Sequence, residues 1–83
     1  MNVLGLHARA AARFVRAAIQ FRSKVTVTKD GTTTDGKSIL GILFLAATAG
    51  TEITIAAAGD DENEAIETLS SLVARGLGEE EID

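Results

Sequence analysis

The chain contains no cysteine, one histidine, no tryptophan or tyrosine, and only three aromatic residues, Phe14, Phe21 and Phe44. Without cysteine there is neither a disulfide framework nor a thiolate metal site. One histidine excludes a multi-histidine metal centre within a single chain. Three scattered phenylalanines argue against a base-stacking platform, so no nucleic-acid partner is expected. No apolar run reaches the length needed to span a bilayer, so no membrane insertion is expected. The opening Met-Asn-Val-Leu-Gly lacks the basic and long apolar regions of a signal peptide, and a cytoplasmic protein is the expectation. Basic residues are scarce in the second half. Residues 1–37 carry seven basic and two acidic side chains; residues 38–83 carry one basic and ten acidic. Such a split can make one face electropositive if folding keeps the halves apart.

The 83 residues are nearly half apolar, which excludes a disordered chain. They suffice for one domain, residues 1–83, with one core. A domain this small buries only about 60–65% of its unfolded surface.

From His7 to about Gln20 the pattern is helical, with Ala11, Phe14, Val15 and Ala18 at spacings of three and four. Arg9, Arg13 and Arg16 fall on a largely separate face. Lys24 to Thr28 alternates as a half-buried strand, Asp30-Gly31 is a turn signal, and Thr32 to Thr34 completes a hairpin. Ser38 is placed to cap a second helix from Ile39 to about Thr48, apolar almost all round and stopped by Gly50. Glu52 to Ala56 alternates again, with Ile53 and Ile55 inward. Gly59-Asp60-Asp61 opens a third helix, with Ala65, Ile66, Leu69, Leu72 and Val73 as its apolar stripe and Gly76 at its end. Glu62, Glu64 and Glu67 are its solvated face, and no other oxygen ligands converge there to make a metal site. This order implies an α+β fold: a two-layer open-faced sandwich, helices on one face of an antiparallel sheet.

His7 is the residue that most needs explaining. A histidine at the start of a helix meets unpaired N–H groups and the positive end of the helix dipole. There a neutral imidazole is favoured and an anion is welcome on it. Arg9 adds a guanidinium to the same anion, and the backbone N–H groups of Ala8 and Arg9 are expected to cradle it.

Gly5-Leu6-His7-Ala8-Arg9-Ala10-Ala11 resembles the active-site segment of the HPr family, the histidine-containing phosphocarriers of the phosphoenolpyruvate-dependent phosphotransferase system. Gly36-Lys37-Ser38-Ile39-Leu40-Gly41-Ile42 resembles the family's regulatory serine segment. Gly50-Thr51-Glu52-Ile53 and Gly59-Asp60-Asp61-Glu62 resemble two later stretches. The resemblance implies a stoichiometric carrier rather than an enzyme, needing no cofactor. His7 would take a phosphoryl group from enzyme I on Nδ1 and pass it to an enzyme IIA domain in sugar uptake. Arg9 would steady the phosphate. Ser38 would be the site of an HPr kinase/phosphorylase. Ile39, Leu40 and Leu43 fall where the family has an apolar docking patch; Arg13, Arg16 and Lys37 are either solvated charges or docking contacts beside it. The alternative is a regulatory module, of the nitrogen-type branch or a serine-phosphorylated corepressor-like kind.

Two departures stand out. Ala10 occupies a place where the family often has proline. Only Met1 to Leu4 precede the motif, too few for the family's N-terminal strand, which pairs with the final strand. Two outcomes are expected: a homodimer joined edge to edge through residues 51–57, or a short stub and low stability.

Overall fold

The computed structural model describes residues 3–47 and 53–74, with side chains for 8–45 and 53–74. The order is α1 Val3–Ala18, β1 Lys24–Lys29, β2 Thr32–Asp35, α2 Ile39–Ala47, β3 Thr54–Ala58 and α3 Glu62–Ala74. The strands form an antiparallel sheet in the order β2-β1-β3. This is the open-faced α+β sandwich read from the sequence. Thr48, Gly50, Thr51, Glu52 and Gly76 lie outside the described residues, as does the tail from Gly78 to Asp83.

The hairpin follows from its turn. Asp30 and Gly31 both adopt positive φ, 51° and 80°, as a two-residue type I′ loop requires. Lys29 therefore pairs with Thr32, and Thr28 with Thr33, whose hydroxyls meet at 2.7 Å. On β1, Val25 and Val27 are buried while Thr26 and Thr28 alternate with them. The two valines meet Ala11, Phe14 and Ala18 of α1, Ile42 and Leu45 of α2, and Leu69 of α3 in a single core. Ile53, Ile55, Ala57, Leu43 and Val73 pack against its margin.

Helix α1 begins at Val3, four residues before the expected start at His7. Val3 to Leu6 are helix-compatible except for Gly5, and Ala10 supplies the backbone N–H that a proline would lack. Nothing local stops the helix from growing backward past the motif. Its other end tightens: Gln20 and Phe21 donate to Ala17 and Ala18, three residues back.

Three side chains tie distant elements together. Lys29 is buried, and its ammonium donates to the Leu45 carbonyl (2.9 Å) in the last turn of α2, where a cation suits the helix dipole. Lys37 donates to the Phe21 carbonyl (2.8 Å), joining the entry of α2 to the exit of α1. Asp61 reaches across the fold: its carboxylate accepts from the N–H of Arg22 (3.0 Å), the N–H of Ser23 (2.9 Å) and the Ser23 hydroxyl (2.5 Å).

The Ser23 hydroxyl and then the Arg22 N–H hold the Asp61 carboxyl down at about 2. A lowered folded value means that the unfolded chain binds the proton first as pH falls. The stabilisation is complete above about pH 4 and is lost as pH drops toward 2. Asp61→Asn is therefore expected to be less stable than the parent at pH 6, with the gap closing by pH 2. Urea denaturation across that range checks this; a gap independent of pH would contradict it.

Candidate functional site

His7 is the fifth residue of α1. This corrects the expectation that it stands at the helix start. Within an α-helix each N–H bonds the carbonyl four residues back. The N–H groups of Ala8 and Arg9 therefore belong to the helix ladder, toward Leu4 and Gly5, and would face a phosphate only if the first turn of α1 unwound. Arg9 itself is exposed, and Arg13 and Arg16 continue the exposed row along α1.

Ser38 is a helix cap, as expected. Its hydroxyl accepts from the N–H of Gly41 (3.1 Å), and its carbonyl takes the first helical bond from Ile42 (3.0 Å). The preceding turn is held by Asp35, whose carboxylate accepts from the N–H of Lys37 (2.9 Å). Ser38→Ala is expected to cost about 1 kcal/mol and Ser38→Asp much less, since both serine and aspartate can cap. Chemical denaturation measures both; a neutral Ser38→Ala would show that the cap bond is worth nothing.

Ser38 belongs to the entry of α2, which the Lys37–Phe21 bond ties to the residues just past the end of α1, whereas His7 belongs to the second turn of α1.

Of the residues expected to meet a partner, Ile39 and Leu40 are exposed, at 46% and 76%. Leu43 is not: it is half-buried and packs against the core. Phe44 stands out in its place, 62% exposed. Lys37 is half-buried, and its ammonium donates to the Phe21 carbonyl. Phe44 was missed because α2 has no polar residue from Ile39 to Ala47 to set its phase. The small residue Gly41 was the available signal. A Cβ there would run into Thr34, so that flank of α2 lies on β2.

Among the described residues no group of acidic or histidine side chains could hold a metal ion, and no helix is long and apolar enough to cross a membrane.

A family model described as the HPr component phosphorylation site of the phosphotransferase system matches residues 1–75. The chain belongs to the HPr family. It is 47% identical over 81 residues to a phosphocarrier protein HPr of Neisseria meningitidis, covering 98% of this chain and 91% of that protein. It is 49% identical over 69 residues to the HPr-like protein Crh of Bacillus subtilis, covering 83% and 81%. Among solved structures, an HPr dimer from Thermoanaerobacter tengcongensis superposes with a TM-score of 0.80 at 44% identity, covering 94% and 90%. A domain-swapped dimer of Crh superposes with a TM-score of 0.75 at 47% identity, covering 82% and 78%. As an HPr, the chain is a phosphocarrier component of the phosphotransferase system and not an enzyme.

Proposed function

We propose that this HPr accepts a phosphoryl group from phosphorylated enzyme I on Nδ1 of His7 and hands it to enzyme IIA domains in sugar uptake. The observation that supports the reading most is the Gly5-Leu6-His7-Ala8-Arg9 motif in an HPr with no second histidine. Neutral imidazole is already a nucleophile, so no general base is needed. The Nδ1 lone pair attacks phosphorus, the bond to the donor breaks, and the proton stays on Nε2. Arg9 neutralises the charge on the transferring group. The phosphoramidate must also be given up readily, which suits an open surface. Incubation with enzyme I and labelled phosphoenolpyruvate should yield one acid-labile, base-stable phosphoryl group per chain. A chain left unlabelled by active enzyme I would refute the reading.

A regulatory reading has its own support in the likeness to Crh, whose solved structure is described as a catabolite repression protein. Here Ser38, phosphorylated by an HPr kinase/phosphorylase, would be the switch. Phosphate at a helix start suits the dipole, yet it sits beside Ile39 and Leu40 where a partner would have to desolvate it. ATP-dependent labelling of Ser38 without phosphohistidine turnover would favour this reading over uptake.

A homodimer is the third element of the proposal. Among the described residues β3 has β1 on one side and no strand on the other. It carries no proline, charge or bulge to guard that edge. Pairing of two copies through residues 51–57 would cover it, and solved relatives described as dimers support the possibility.

A further inference from the structure

Among the described residues the core is unfilled at the end of the sandwich where α2 and α3 finish. Phe14 of α1, Val27 and Lys29 of β1, Ile42 and Leu45 of α2 and Val73 of α3 enclose a cleft of about 130 Å³, open on one side. Its walls are apolar, because Lys29 contributes its aliphatic stem and sends its ammonium to the Leu45 carbonyl (2.9 Å). Protein interiors are close-packed, and a cavity of about 150 Å³ has room for a benzene ring. One branched aliphatic side chain is therefore what this cleft lacks.

We propose that Leu77 fills the cleft, with the segment 75–83 turned back across the end of α3 as a strap whose carboxylates lie toward Lys29. Val73, on the cleft wall, is one residue from the end of α3 at Ala74. Leu77 follows it by four residues, a reach of up to about 14 Å, more than enough to cross a cleft of this size. The intervening chemistry favours reversal. Gly76 suits the left-handed residue that closes a helix, and in that motif the next residue packs back on the last helical turn. Gly78 allows a second bend. The other large apolar residue of the segment, Ile82, stands behind three consecutive glutamates. Charge points the same way. The last turn of α3 holds no basic residue, so Glu79, Glu80 and Glu81 are repelled if they continue along its axis past the negative end of the helix dipole. The buried ammonium of Lys29, on the opposite wall, attracts them instead. A second copy inserting its exposed Phe44 is the rival occupant, but a tethered segment acts at an effective concentration of millimolar order and needs no association.

Methyl NMR of the full chain tests this. The Leu77 methyls are expected to show cross-relaxation with the Phe14 ring and the Val73 methyls, at a strength independent of protein concentration. Leu77→Ala should raise the unfolded fraction about thirtyfold, the lower end for losing a buried leucine. Under xenon pressure the Val27, Ile42 and Leu45 methyls should shift in Leu77→Ala and stay fixed in the parent, since an emptied apolar cavity admits the gas. Ile82→Ala should leave both readouts unchanged. Replacing Glu79, Glu80 and Glu81 together by glutamine should weaken the Leu77 cross-relaxation at low salt. Absence of that cross-relaxation in the parent overturns the proposal, and this measurement stands even where Leu77→Ala does not fold. So does xenon entry that is equal in parent and variant. A stability loss in Leu77→Ala without xenon entry overturns it too, assigning the residue to the helix cap alone. Contacts to the cleft that appear only as protein concentration rises give the site to a second copy and overturn the strap.

Discussion

Replacing His7 by alanine should abolish phosphoryl acceptance completely while leaving the fold intact. No other imidazole is present to take over the group. Serine and threonine hydroxyls are far weaker nucleophiles without an activating base, and the variant has no histidine left to supply one. The effect on stability should be small and of the opposite sign to most substitutions. Position 7 lies inside α1, where alanine is preferred to histidine by about 0.5 kcal/mol. Mass spectrometry after incubation with enzyme I and phosphoenolpyruvate should show an unmodified variant, and its thermal transition should match or slightly exceed the parent's. A phosphorylated His7→Ala would move the carrier role elsewhere. A variant that fails to fold would mean that His7 supports the structure in a way its position in the helix does not imply.

Gly59→Ala carries the largest structural effect expected. Gly59 follows β3 with φ at 153°, a conformation that side-chain-bearing residues rarely adopt. Its Cβ would lie 2.7 Å from both the Cα and the hydroxyl of Ser23. Ser23 is buried and held by Asp61, so the neighbour is anchored backbone and not a side-chain tip that can swing away. Backbone strain of about 1–3 kcal/mol and overpacking of about 1–3 kcal/mol act together there. A domain of this size has only about 4–12 kcal/mol in total. Urea denaturation should show a loss of at least about 2 kcal/mol, and the Asp61 carboxyl should titrate nearer its ordinary value once Ser23 is displaced. Gly31→Ala is the control: it too has positive φ, but nothing lies within 4 Å of the added atom, so only the local conformational cost of about 1–2 kcal/mol applies. Equal losses at the two positions would show that the contact with Ser23 does not matter.

Features confined to a few neighbouring residues were legible in the sequence. Asp30-Gly31 specified a type I′ turn because both residues tolerate positive φ, and that turn set the register of β1 and β2. Ser38 announced the cap of α2 because its hydroxyl needs only the N–H three residues on. Alternation on β1 placed Val25 and Val27 inward, and the helical spacing of Ala11, Phe14 and Ala18 named the face of α1 that meets them. His7 and Arg9 stood out as candidates for chemistry, since the chain has no second histidine.

Tertiary packing decided the rest. The outward face of α2 was undetermined because all nine of its residues are apolar or glycine, and only docking on α1 and β2 turned Ile42 and Leu45 inward and left Phe44 out. Lys29 and Lys37 each became a link between elements once a distant carbonyl came within reach. Asp61 looked like a helix-start residue, yet its carboxylate serves a loop thirty-nine and thirty-eight positions away, at Arg22 and Ser23. The start of α1 moved because a helix continues until something stops it, and nothing between Val3 and His7 does. Hydrogen bonds and turns between near neighbours are written in a few adjacent residues. The rotation of an all-apolar helix and the partner of a long polar side chain depend on what the fold brings alongside them.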